Sequence, residues 1–113
     1  MDKYFASRFS ALGDPTRLAV VEALLEGSAT VSELAEPFAI QLPPFTKHLK
    51  ILEDAGLIKT EKLGRVRRCY IDSQAMDELN QWFKNRRARW EQRLDRLEQH
   101  IENESGARPR SSE

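Results

Sequence analysis

Apolar positions in the first half of the chain recur at steps of three and four residues, give way to alternation, and then return to the helical step. Tyr4, Phe5, Phe9 and Leu12 predict a short first helix with an aromatic face, which either fills the core or docks on a partner subunit. Leu18, Val21, Leu24 and Leu25 predict a second helix, which Asp14 caps, Pro15 starts and Gly27 stops. Thr30 and Glu33 have the spacing of a capping box for a short third helix through Leu34 and Ala35, ended near Pro37. A fourth lies within the stretch from Gln41 to Leu57. It begins near Leu42 or Pro43, because prolines are tolerated only in a first turn, and Gly56 closes it.

Alternation then predicts two strands, about Ile58 to Leu63 and Val66 to Ile71, turning at Gly64 and Arg65. That pivot sets Glu61 opposite Arg68 and Lys62 opposite Arg67. Like charges placed directly opposite destabilise a bare hairpin, and a phosphate between them would remove the cost. The other reading is that both side chains splay into water. Ser73 is expected to cap a last helix with Asp77 and Glu78 in its first turn and an apolar stripe of Met76, Leu79, Phe83, Trp90, Leu94, Leu97 and Ile101, interrupted at Arg86 and Arg87. A helix of about 30 residues is about 45 Å long, against about 35 Å for a compact domain of this size. Its apolar side therefore needs a second surface, and another copy of the chain is the economical one. A kink folding the helix back is the alternative, but neither proline nor glycine lies between Ser73 and Ser105.

These elements predict a mainly α fold with a small β-hairpin wing, a dimeric winged helix-turn-helix. One domain covers residues 1–104, with N- and C-terminal dimerisation helices, and residues 105–113 form a disordered tail. The fourth helix is two-sided. Phe45, Leu49 and Leu52 make an apolar stripe; Pro44, Thr46, Lys47, His48 and Lys50 offer mostly donors and cations, as reading a DNA groove requires.

Charge sharpens this picture only through its distribution. Lys plus Arg equals Asp plus Glu at 18 each, yet residues 41–70 carry seven basic and three acidic side chains. The one cysteine, Cys69, excludes an intrachain disulfide; no signal peptide or apolar span is present, and a cytoplasmic protein is expected. No nucleophile, base and orienter are grouped and no phosphate loop exists, so an enzyme is not expected.

With the elements placed, FSALGDPTRLAVVEALLEG, TVSELAE, LPPFTKHLKILEDAGLI and GRVRRCYI together resemble the ArsR/SmtB family of winged-helix repressors over about 95 positions. The resemblance implies a homodimer paired through its first and last helices on an inverted-repeat operator of double-stranded DNA. The DNA-reading positions it implies are Thr46, Lys47 and His48, with Gln41 and Pro44 at the helix start and Arg65 and Arg67 on the wing. Gln41 stands where many relatives have serine, and Pro44 follows Pro43; both alter the end nearest the bases. The third helix has neither cysteine nor histidine, and the last offers only His100 near Glu104. With tryptophans in the last helix followed by RLDRLE, the overall likeness is closer to the metal-independent branch, with no metal or cofactor expected and the effector unidentified.

Among single residues, Lys47 and Lys50 are expected to position phosphates, joined by Lys62 on the wing. Arg65 suits a flanking minor groove or is a solvated turn residue. His48 donates to a base or phosphate, or fills the seam beside the first helix. Cys69 points to the core side of its strand or serves as a redox switch. Tyr4, Phe5, Phe9, Phe83, Trp90, Leu94, Leu97 and Ile101 are the expected dimerisation residues. The expected function is a sequence-specific transcriptional repressor; the alternative is a winged-helix protein-interaction module without DNA binding.

Overall fold

Helix boundaries follow the punctuation closely. In the computed structural model, which describes residues 3–105, the order is α1 (Lys3–Leu12), α2 (Pro15–Glu26), β1 (Ala29–Thr30), α3 (Val31–Ala35), α4 (Leu42–Asp54), β2 (Ile58–Leu63), β3 (Val66–Ile71) and α5 (Ser73–Ser105). The rest of the expected tail, residues 106–113, lies outside the described residues. Asp14 accepts the Arg17 backbone N–H at 3.0 Å, and Thr30 and Glu33 close a full capping box. Gly56 takes φ +76° after α4, with Gly56 N–H donating to Glu53 O and Leu57 N–H to Leu52 O. That pair of bonds is the Schellman arrangement, which satisfies carbonyls the helix end would leave open.

The chain divides into two compact units, one ending at Glu78 and the other starting at Leu79. In the first, α1 packs on α2 and α4, and α2 also packs on β3. Val20, Val21, Leu24, Leu34, Phe45, Leu49, Leu52, Leu57 and Ile58 form its core. Strands β2 and β3 pair antiparallel in the expected register, Glu61 opposite Arg68 and Lys62 opposite Arg67. Gly64 has φ +65° and Arg65 a negative φ, as in a type II′ turn with glycine at its first central position.

Three expectations need correction, and one open alternative gains detail. The sheet has three strands, not two, because Ala29 and Thr30 pair with Cys69 and Arg68 on the other edge of β3. Leu18 and Leu25 are exposed and Val20 is buried in their place, so the buried stripe of α2 is Val20, Val21 and Leu24, turned about the helix axis away from Leu18 and Leu25. The cap of α5 is Asp72, whose carboxylate accepts the Ala75 N–H at 3.2 Å; Ser73 is already helical, so Asp77 and Glu78 fall beyond the first turn. On α1 the fully buried positions are Arg8 and Ala11; Phe5 and Phe9 are half-buried and Tyr4 is exposed. The aromatic face is thus buried only in part.

The second unit is the remainder of α5. Trp82 and Phe83 meet edge to face at 5.2 Å, the Arg86 guanidinium stacks 4.1 Å above the Trp82 ring, and Arg87 pairs with Glu91 at 3.2 Å. Phe83, Trp90, Leu94, Leu97 and Ile101 are all exposed. Among the described residues no helix is long and apolar enough to cross a membrane.

Candidate nucleic-acid interface

Helix α4 starts without a side-chain cap. Gln41 is extended (φ −67°, ψ 155°), and its carbonyl accepts the first intrahelical bond, from Phe45 N–H at 3.1 Å. Pro43 and Pro44 occupy first-turn positions whose N–H groups an ordinary helix leaves unsatisfied. The two prolines thus remove donors rather than cap them, and recognition at this end falls to side chains.

One side of α4 is anchored. Phe45, Leu49 and Leu52 are buried, and Phe45 stacks at a tilt on Phe38 with centroids 5.5 Å apart. The other side holds Gln41, Pro44, Thr46, Lys47 and Lys50, all exposed. Thr46 Oγ1 donates back to Pro43 O at 2.9 Å, which fixes its rotamer. Lys50 Nζ lies 2.8 Å from Asp54, and that hydrogen bond raises its pKa. Lys47 has no ion-pair partner among the described residues, so it is the cation of α4 whose charge is not directed at a neighbour.

His48 is placed differently. It is half-buried, with Nδ1 3.2 Å from Arg17 Nη1 and 3.7 Å from Asp14 Oδ2. Arg17 also donates through Nε to Ala11 O at 2.7 Å. The seam His48 fills is therefore at the start of α2. The Asp14 carboxyl is held below its ordinary range, first by the Arg17 backbone N–H and then by the charges of His48 and Arg17.

On the wing, Lys62, Arg65 and Arg67 are exposed. Arg67 Nη1 donates to Thr60 Oγ1 at 2.9 Å, and Thr60 Oγ1 donates to Glu53 Oε2 at 3.2 Å. This relay runs from the last turn of α4 to the hairpin and draws the Arg67 head toward Thr60, which eases the opposition with Lys62. Arg68 turns the other way, to Ser28 Oγ at 3.1 Å. Cys69 is buried, and desolvation pushes its thiol up. A thiolate-based redox role does not fit that environment. Thr60 and Arg17 were not singled out from the sequence; Arg17 stood within the GDPTR segment, while nothing in the chain around Thr60 marked it.

A buried-backed helix with a cationic exposed side, followed by a charged two-stranded wing, defines a winged-helix DNA-binding protein. A family model described as a helix-turn-helix domain matches residues 12–61. An uncharacterised HTH-type transcriptional regulator of Methanocaldococcus jannaschii is 37% identical over 82 residues, spanning 70% of this chain and 92% of that protein. The transcriptional repressor SdpR of Bacillus subtilis is 30% identical over 77 residues, 68% of this chain and 86% of that one. Among solved structures, an ArsR family transcriptional regulator is 46% identical with a TM-score of 0.74, covering 78% of this chain and 97% of that one. An ArsR-like regulator from Rhodococcus sp. RHA1 is 28% identical with a TM-score of 0.75, covering 86% and 92%. The chain belongs to the ArsR family of winged-helix transcriptional regulators, a DNA-binding and non-enzymatic class.

Proposed function

We propose that the protein is a repressor that binds an inverted-repeat operator as a homodimer, with each α4 in a major groove and each wing over the flanking minor groove. The observation that carries this is the two-sidedness of α4: its apolar side is locked into the core while Gln41, Pro44, Thr46 and Lys47 stand exposed. Lys62, Arg65 and Arg67 supply phosphate-binding charge on the wing, and Lys50 a weaker contribution because Asp54 competes for it. Tyr4, Phe5 and Phe9 on α1, with Phe83, Trp90, Leu94, Leu97 and Ile101 on α5, supply the subunit contact. Phe83, Trp90, Leu94, Leu97 and Ile101 are all exposed in the single chain, and a stripe of that length on one helix supports a contact with another surface. Residues 1–104 form the functional unit in this reading.

Metal sensing is not part of the proposal. The cysteine is buried with its thiol pushed up, the opposite of what a thiolate ligand needs. The test is a gel shift on the promoter fragment upstream of the protein's own gene. Lys47→Glu combined with Arg67→Glu abolishes the shift if the reading holds. Unchanged retention would instead indicate a winged helix that binds protein.

A further inference from the structure

His48 Nδ1 has two neighbours that make opposite demands on it. Arg17 Nη1, at 3.2 Å, is always a donor and needs an unprotonated Nδ1. Asp14 Oδ2, at 3.7 Å, would need a protonated one, but it lies beyond hydrogen-bond distance and already accepts the Arg17 backbone N–H at 3.0 Å. The shorter contact decides. With Nδ1 accepting, the neutral ring carries its proton on Nε2.

Nε2 has no partner among the described residues, and no side-chain nitrogen or oxygen among them is both buried and unpartnered. Nε2 therefore reaches solvent, on the helix whose exposed side carries Lys47. We infer that Arg17 is a specificity-setting positioning residue: by donating to Nδ1 it holds His48 as the Nε2–H tautomer and makes it a hydrogen-bond donor toward an acceptor on the DNA. The acceptor is a purine N7, a base-edge carbonyl oxygen or a phosphate oxygen; an exocyclic amino group is refused because it too is a donor. Arg17 itself, bonded to Ala11 O and His48, acts through the ring. The inference rests on the DNA-binding reading, but its first half concerns the free protein.

Two experiments test it. Long-range proton–nitrogen correlation spectra of the full chain, without DNA and at a pH where His48 is neutral, should show its Nδ1 as unprotonated acceptor and Nε2 as protonated. Arg17→Met should turn this into a mixture of tautomers. A wild-type Nδ1–H form would overturn the inference whether or not the protein binds DNA.

The second uses a duplex enriched from a random pool. His48→Phe should weaken binding about five- to tenfold, the worth of one hydrogen bond, while His48→Gln, whose amide N–H can donate, retains most of it. Purines replaced singly by their 7-deaza forms and phosphates by methylphosphonates locate the acceptor: one position should lose discrimination between wild type and His48→Phe. If none does, and His48→Phe binds as wild type does, the donor role is wrong even though DNA binding stands. Failure of every variant and the wild type to bind would remove the DNA-binding reading and leave the spectrum to judge Arg17. Because Arg17→Met also loses the bond to Ala11 O, its melting temperature is measured alongside, and the His48 pair carries the test if that variant does not fold.

Discussion

Arg8 Nη1 lies 2.8 Å from Glu78 Oε1, so the most deeply buried charge among the described residues joins α1 to the start of α5. The same guanidinium donates through Nε to Ala55 O at 3.2 Å, at the C-terminus of α4, and sits 3.8 Å over the Tyr4 ring. Burial works against its charge, but the hydrogen bonds to Glu78 and Tyr4 outweigh that and keep its pKa above the ordinary arginine value. Arg8→Ala removes the charge, the packing stem and the bond to a helix-terminal carbonyl together, and is expected to cost about 3 kcal/mol. Glu78→Gln should cost less, about 1 kcal/mol, because that carboxylate is 40% exposed and partly screened by water. Urea unfolding of the two variants at neutral pH checks the ranking.

Gly56 is required twice over. Its φ of +76° disfavours any side chain, and a Cβ there would overlap the Tyr4 hydroxyl. Gly56→Ala should destabilise by about 1–2 kcal/mol. In a Tyr4→Ala background the same change should cost less, since only the backbone strain remains. Equal costs in both backgrounds, read from denaturation midpoints, would show that Tyr4 does not constrain the site.

Cys69 should resist thiol reagents in the native protein. It is buried and its thiol is pushed up by desolvation, so little reactive thiolate is present near neutral pH. Modification by a chromogenic disulfide at pH 7.5 should be slow and should jump on unfolding. The sign for stability follows: its folded pKa is raised, so this contribution is complete below the unfolded value of about 8.5 and is lost as pH rises toward the folded one.

Asp14 and Glu33 act at the other end of the pH scale. Both carboxyls are held low, Asp14 by the Arg17 N–H and Glu33 by the Thr30 N–H. A depressed folded pKa contributes stability above the unfolded value, about 4, and that contribution disappears as pH falls through the folded one. Melting temperature should fall between pH 5 and 3, and Asp14→Asn and Glu33→Gln should each flatten that slope. Thr30→Ala removes the other half of the capping box and should cost about 1 kcal/mol at neutral pH, part of which should fade as pH falls because the Thr30 hydroxyl also helps hold the Glu33 carboxyl low.

Leu97→Glu and Trp90→Glu place charges in the exposed apolar stripe of α5. Sedimentation at micromolar concentration should show wild type as a dimer and the double variant as a monomer. Affinity of the wild type for its operator should also fall steeply between 50 and 200 mM salt, because counterions are released when phosphates are bound. A flat profile would count against Lys47, Lys62, Arg65 and Arg67 as phosphate contacts.

Features that depend on residues three or four apart were legible in the sequence by itself. The Asp14 cap, Thr30 with Glu33, the proline start and glycine end of α4, and the turn at Gly64 each complete their own hydrogen bonds or dihedrals locally. The hairpin register followed as well, because one turn fixes every pair beyond it. Even here Asp72 and Ser73 are adjacent capping residues, and only the end of β3 at Ile71 decided between them.

What the tertiary structure alone decided are pairings between distant segments. Ala29 and Thr30 are a strand only because β3 leaves an edge open to them. Arg8, between Ser7 and Phe9 on an aromatic helix, reads as a surface residue until Ala55 and Glu78 are brought around it. His48 is 31 residues from Arg17, so the contact between them that bears on the ring's tautomer was invisible in the chain. Local bonds need only the backbone to follow its own preferences. The tautomer of a ring, or the burial of a charge, depends on which groups packing sets against it.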